Sequence, residues 1–446
     1  MRVQRSIGLR LVLSLRALTV VCSLLAASGV LHSARAQTIN FERDRGRDIL
    51  NRLKEDIREN YYDPKFRGID LDAHFRLAEE KIKQATSVGQ IFGIIAQALV
   101  SFNDSHTRFL PPELTTNTEY GWQMQMIGER CYVVAVRPGS DAEARGLRPG
   151  DQVHAIDQFK PTRDNLWVLQ YLYYTLKPQP GMKLDVESPD GRRRELVVKS
   201  KVTPVEPLKT RYDEELFRTR EAENEASLNR HRYVEAGDEL MIWKMPRFDL
   251  DDIQVDELMS KARGRKALIL DLRGNPGGFV LTLQRLVGHF FPADLKIADL
   301  KGRRELKPMV AKTRGDKIFK GQLIVLVDSR SASAAEVLAR VVQLEKRGTV
   351  LGDRSAGAVM RSKYYRHEMG YGKVIVFGAS VTDADMLMTD GGSLENIGVT
   401  PDELLLPTAR DMAEGRDTVL ARAIALAGGK ISPEKAGTLF PFEWRK

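Results

Sequence analysis

One pattern in the second half of the chain constrains it more than any other feature. Ala267–Leu272 is a short apolar run, broken only by Asp271, that ends in Arg273-Gly274-Asn275-Pro276-Gly277-Gly278 and gives way to helical spacing as far as Phe291. Leu323–Val327 is a second apolar run, followed by helical spacing from Ser333 to Lys346. Short apolar runs bounded by turn residues read as strands buried on both faces, and strand–turn–helix units in succession imply a mainly parallel sheet. Val350–Gly352 and Val374–Phe377 add strands to it. Ligands of such sheets gather near the carboxyl ends of the strands. This α/β rhythm fills residues 239–410.

The rest of the chain reads differently. Residues 37–117 are helical, with apolar residues at three-to-four spacing in Asp48–Tyr61, Leu71–Gln84 and Val88–Val100. Asn103-Asp104-Ser105-His106 and Pro111-Pro112 then mark a loop. In 118–205, strand-like runs (Tyr132–Val136, Gln152–Ile156, Leu184–Glu187, Glu195–Lys199) alternate with Gly/Pro turns around one helix, Asn165–Leu176. Residues 206–238 mix acidic and basic side chains, the composition of an exposed helix or linker. Residues 411–446 form a C-terminal tail or helix.

Residues 1–36 have the order of a secretory signal peptide: basic residues Arg2, Arg5, Arg10 and Arg16, an apolar run from Ala17 to Leu31, and Ala34-Arg35-Ala36 as the cleavage site. The run is shorter than the ~20 residues of a spanning helix, so cleavage rather than anchoring is expected. This predicts a secreted, periplasmic protein with no stable membrane span after cleavage. The net charge of +9 over 446 residues hints at an anionic partner. Residues 1–36 hold five arginines and no acid, so more than half of that surplus is export address. No run interleaves basic and aromatic residues as a nucleic-acid groove does. Only Cys131 remains after the signal, in an apolar strand, and one thiol cannot form an internal disulfide.

Four short segments could carry chemistry. Ser331-Ala332-Ser333-Ala334-Ala335-Glu336 lies between a strand and a helix. Read locally, Ser333 is an N-cap and Glu336 completes a capping box. Read chemically, Ser333 is a nucleophile beside the free N–H groups and positive end of a helix, which can hold an oxyanion. Asn275-Pro276-Gly277-Gly278 is either a tight turn or a backbone cradle open to a carbonyl. It is not a phosphate loop, since no Lys-Ser/Thr follows. His106, in Asp104-Ser105-His106-Thr107, is a turn residue or a general base. Gly392-Ser393-Leu394-Glu395-Asn396-Ile397-Gly398 is a Gly-bounded turn that presents Glu395. No histidine pair has zinc-ligand spacing, so no metal or other cofactor is expected.

In combination these segments resemble the family of C-terminal processing proteases and tricorn-core proteases. Leu268–Gly278 resembles its strand-and-glycine motif, and Ser331–Glu336 its nucleophile motif, with Ser333 in the nucleophile's place. Residues 118–203 resemble the PDZ domain that interrupts the protease region, through Pro138-Gly139-Ser140-Asp141-Ala142 and Gly146-Leu147-Arg148-Pro149-Gly150-Asp151. One branch of the family uses a Ser-Lys dyad, but Ala358 stands in the lysine's place and Lys363 is out of register. The tricorn-like branch, with a histidine before the PDZ domain, an additional serine and a glutamate, is the better match through Ser105, His106 and Glu395.

The resemblance implies an α/β fold with a crotonase/ClpP-like core, a helical N-terminal region and a β-rich PDZ-like domain. It implies a serine peptidase in which His106 deprotonates Ser333, Ser105 and Glu395 support that pair, and Ala334 with Gly277 or Gly278 binds the oxyanion. Expected partners are protein or peptide substrates, held by their C-termini at Tyr120-Gly121-Trp122-Gln123; an oligomer is compatible with the family. Gln123 stands where relatives often have a second glycine. The competing expectation is a catalytically silent relative that serves as a peptide-binding scaffold.

Overall fold

A computed structural model of the chain describes residues 38–112, 116–204, 230–236, 239–370 and 374–444. Residues 1–36, expected as a signal peptide, and most of the charged stretch 206–238 lie outside the described residues.

A six-stranded sheet forms the centre of the second half. Its order is Glu403–Leu404, Gly348–Gly352, Gln322–Val327, Ala267–Asp271, Leu240–Lys244, Arg232–Ala236. The first five strands run parallel, and the last is antiparallel at the edge. Ala267–Asp271 is buried along its whole length because helices cover both faces. Asp252–Arg263, Val280–Gly288 and Ala334–Leu344 pack on one face around Leu268, Leu270, Val325 and Leu338. Thr418–Leu426 and Pro433–Gly437 cover the other, against Ile269, Ile324 and Leu351. Of the two expectations for 411–446, the described residues up to 444 follow the helical one, as an outer layer on the sheet. Arg232–Ala236, expected in a helix or linker, is an edge strand.

A second sheet departs from the sequence expectation. The run expected as Val374–Phe377 is the start of a 14-residue strand, Ile375–Met388, which pairs antiparallel with Met360–Met369 on one side. Its other side takes Arg108–Leu110 and Leu295–Lys301. One end of this strand, through Phe377, Ala379 and Val381, is built into the core of the N-terminal helices. Those helices span 38–60, Leu71–Gln84 and Val88–Val100. Asp70 and Ser87 cap the second and third by accepting from Ala73 N–H and Gln90 N–H. The N-terminal region is thus stapled to the core by strand pairing, Arg108 opposite Ser380.

Residues 122–199 form a separate module: a five-stranded antiparallel sheet around its own core of Trp122, Val133, Ile156, Leu184 and Val198. Its helix begins at Leu166 and ends in a wider turn, Leu172–Leu176. The module rests on the core through Arg163, whose guanidinium bonds Asp353 Oδ1 at 2.6 Å, Gly128 O at 2.7 Å and Arg354 O at 3.0 Å. Asp353 Oδ2 also accepts from Gly128 N–H at 2.9 Å. Beside this seam Gln125 donates to Asp328 at 2.7 Å, and Ser329 Oγ donates to Met126 O at 2.5 Å.

Candidate active site

Two neighbouring parallel strands, 267–271 and 322–327, deliver the site. Beyond their carboxyl ends the chain turns twice, and the turns are tied together. Asp328 Oδ1 accepts from Gly274 N–H at 2.8 Å and Arg330 N–H at 3.0 Å, and Ser331 Oγ donates to Leu272 O at 2.8 Å. Ala332 N–H donates to Asn275 O at 2.9 Å. Ser333 follows with φ 55° and ψ −121°, a backbone state that disfavours any residue but glycine. Strain of this kind collects at functional sites and persists only where the surroundings impose it. Here Ser333 N–H is shared between Ala358 O at 2.9 Å and Glu336 Oε2 at 3.0 Å. The helix Ala334–Leu344 starts directly after it.

The glycine turn lies against the serine. A Cβ on Gly277 would sit 2.6 Å from Ser333 Cβ and 3.0 Å from Ala334 N, so only glycine fits. Gly278, at φ 148°, would place a Cβ 2.2 Å from Phe248 O. Gly277 was expected as an alternative oxyanion donor, but its N–H is taken by buried Asn275 Oδ1 at 2.8 Å. Among the described residues, neither Gly278 nor Ala334 donates its N–H to a protein acceptor.

The histidine loop is fixed from behind by Asp104. This buried carboxylate accepts from His106 N–H at 3.0 Å, Thr107 N–H at 2.7 Å and Thr382 Oγ at 2.6 Å, all through Oδ1. Ser105 Oγ lies 2.7 Å from His106 Nδ1 and donates to Glu395 Oε2 at 2.8 Å. Ser105 N–H donates to Glu395 Oε1 at 2.6 Å. A hydroxyl has one proton, and this one goes to Glu395. The hydrogen-bond order therefore makes His106 Nδ1 the donor to Ser105 Oγ and leaves Nε2 with its lone pair free. Burial and the nearby Arg108 charge push the His106 pKa down to about 4, against a weaker pull from Asp104. The imidazole is neutral, and able to accept a proton, over most of the pH range. Burial raises the Glu395 carboxyl, opposed by the bonds from Ser105 and Val359.

The two halves meet across one peptide group. The Ala358 carbonyl accepts from Ser333 N–H, and the N–H of the same peptide unit, that of Val359, donates to Glu395 Oε2 at 2.8 Å. Ser333 and His106 are not hydrogen-bonded to each other in this structure, as is common for such pairs without substrate. Ala358 thus serves by its backbone. Lys363 is 65% exposed and lies 3.5 Å from Asp383 on the second sheet. In the module, Gly121 has φ 73° and its carbonyl accepts from Arg137 N–H at 2.8 Å. Trp122 is buried in the module core and Gln123 is half-buried. Among the described residues, strand Trp122–Ile127 pairs only with Arg130–Val136, at the edge of the sheet.

Sequence reasoning missed Asp104, Thr382 and Ser355, and read Glu336 only as a helix cap. Glu336 is fully buried and accepts from four donors: Ser355 Oγ at 2.6 Å, Gly357 N–H at 2.7 Å, Ala358 N–H at 2.9 Å and Ser333 N–H.

A serine at a strained helix entrance, two unpaired N–H groups beside it and a carboxylate–serine–histidine chain opposite are the parts of a serine peptidase. Residues 241–405 match the profile described as Peptidase family S41. Among named relatives, tricorn protease homolog 2 of Streptomyces coelicolor is 26% identical over 397 residues, 83% of this chain and 31% of that protein. The tail-specific protease of Haemophilus influenzae is 24% identical over 306 residues, 64% of this chain and 41% of that protein. The chain therefore spans well under half the length of these two relatives. The solved structure of mature CPAF complexed with lactacystin shares the fold, with a TM-score of 0.62 at 17% identity, over 84% of this chain and 96% of that one.

Proposed function

We propose that the chain is a serine endopeptidase that hydrolyses peptide bonds in protein substrates through an acyl-enzyme on Ser333. The observation that carries this reading is the Ala358–Val359 peptide group, which holds the Ser333 turn on one side and the Glu395–Ser105–His106 chain on the other. In the reaction, Ser333 Oγ attacks the carbonyl carbon as His106 Nε2 takes its proton. The carbonyl oxygen becomes an oxyanion between the N–H groups of Gly278 and Ala334. His106 then gives the proton to the departing amine, and water repeats the sequence on the ester. A positioned base contributes about 10²–10⁴ in rate. Each oxyanion donor contributes about 10²–10³. Ser105 passes the Glu395 charge to Nδ1, which fixes the tautomer and steadies the imidazolium.

The 122–199 module acts, in this reading, as a PDZ-like domain. An extended substrate end would add to the free edge of Trp122–Ile127, with its carboxylate at the backbone of Gly121, Trp122 and Gln123. The leader 1–36 would deliver the protein to the periplasm. A fluorophosphonate probe tests the central claim: wild type labels and cleaves unfolded protein, and Ser333→Ala does neither. Peptide binding with no labelling and no cleavage would instead make the chain a scaffold.

A further inference from the structure

We propose that Glu336 is a positioning residue for the Ser333 reaction: its ionised carboxylate clamps the nucleophile's turn to the 355–358 loop, and its protonation slackens that turn. The proposal rests on the reading of Ser333 as the nucleophile.

The geometry favours the ionised form. Each Glu336 oxygen accepts twice, Oε1 from Ser355 Oγ and Gly357 N–H, Oε2 from Ala358 N–H and Ser333 N–H. Three of these donors are backbone amides that cannot turn round to accept. The fourth, Ser355 Oγ, already accepts from Val399 N–H at 2.6 Å. Its hydroxyl keeps a second lone pair, so a proton on Oε1 is received there only if Ser355 turns its own proton away from Glu336, whereas a proton on Oε2 faces only the Ala358 and Ser333 amides and opens one of those two bonds. Two of the four bonds bear directly on the site. Ser333 N–H is held in its positive-φ state, and Ala358 N–H belongs to the residue whose carbonyl also holds Ser333. A carboxylate that served only as a helix cap would need neither the Gly357 bond nor the Ser355 bond.

The surroundings make this protonation accessible. Glu336 is wholly enclosed, and burial pushes its carboxyl up to about 7 against the pull of its four donors. Among the described residues no cationic side chain bonds it. The titratable groups on the elements around it are Glu395 and His106 of the relay, and Asp328 and Asp353 at the strand ends. Arg340 lies further along its own helix. Asp353 is paired with Arg163, and Arg340 with Asp390. His106 falls to about 4, so an acid limb near neutrality belongs to a carboxyl and not to the imidazole.

The test is the pH profile of peptide hydrolysis and fluorophosphonate labelling, read beside amide exchange of 331–336 and 355–359 corrected for intrinsic rates. Wild type should lose kcat about tenfold per pH unit below about 7 with KM unchanged, as one protonation predicts. Exchange in both segments should speed over the same range. Glu336→Gln should lower kcat about 10²-fold, the cost of a misplaced nucleophile, and lose the limb near 7. A limb that survives in Glu336→Gln but vanishes in Glu395→Gln overturns the proposal, as does wild-type exchange that ignores pH. If Glu336→Gln fails to fold, the wild-type exchange profile decides alone. Wild type that neither labels nor cleaves at any pH refutes the peptidase reading, while exchange still judges the clamp.

Discussion

Gly277→Ala tests whether the glycine turn and the nucleophile are built as one unit. A methyl at this position would lie 2.6 Å from Ser333 Cβ, 2.9 Å from Ala332 O and 3.0 Å from Ala334 N. None of these atoms ends a flexible side chain, so the methyl cannot be accommodated by a rotamer change. Ordinary contact needs roughly another 1 Å, and the serine turn must supply it. Overpacking of this kind costs about 1–3 kcal/mol. The φ of 92° adds about 1–2 kcal/mol for a residue with a Cβ. The total, roughly 2–5 kcal/mol, corresponds to a melting point lower by about 5–15 °C. A nucleophile displaced by about 1 Å loses about 10² in rate. The assay is the fluorophosphonate labelling rate at a temperature where circular dichroism shows the variant folded. Labelling at the wild-type rate by a folded Gly277→Ala protein would refute the apposition of turn and serine.

Other outcomes follow from the same geometry. His106→Ala should lower the labelling rate about 10²–10⁴-fold, whereas Lys363→Ala should leave it unchanged; the reverse would restore a lysine mechanism. Glu336 titrates higher in the folded chain than unfolded, so its contribution to stability grows as pH falls from about 7 to 4.5, on the order of 3 kcal/mol. The melting point of Glu336→Gln relative to wild type should therefore fall between pH 8 and pH 5. His106 titrates lower when folded, so its contribution is lost as pH falls from 6.5 through about 4, and His106→Gln should be relatively favoured in acid. Arg163→Ala leaves Asp353, 6% exposed, charged and without its guanidinium, which should cost about 3–5 kcal/mol by denaturant melts. An Arg163→Met, Asp353→Leu double variant should recover most of that loss.

The parts of this molecule that a reader of the sequence can find are those decided locally. Ala267–Leu272 and Leu323–Val327 are apolar enough to be buried strands anywhere, and Ser333 is placed by the break between strand and helix. The second sheet was hidden because Met360–Met369 alternates Arg361, Lys363 and Arg366 with little apolar content, and its partner carries Asp383 and Asp385 amid the apolar run. Only pairing across the hairpin makes strands of both. Asp104 looks like a turn residue until Thr382, 278 positions away, donates to it. Glu336 satisfies a capping pattern three residues from Ser333, and that local sufficiency concealed the bonds to 355–358. The choice between Gly277 and Gly278 rested on Asn275, whose side chain turns back on its own loop.

The antiparallel pairing of Arg108–Leu110 with Gly378–Ser380, and the bonds of Ser105 to Glu395 across 290 positions, also govern when the molecule can become dangerous. A ribosome delivers Ser105 and His106 first. The strand that seats them and the carboxylate that orients them come much later, Glu395 290 positions after Ser105. Any nascent or prematurely terminated product that stops before Glu395 lacks them, so the Ser105–His106 pair in such a fragment is left unseated. The long span delays folding, since contacts so distant in sequence close late. That delay acts as a safety interval that lasts until residues 375–395 have emerged.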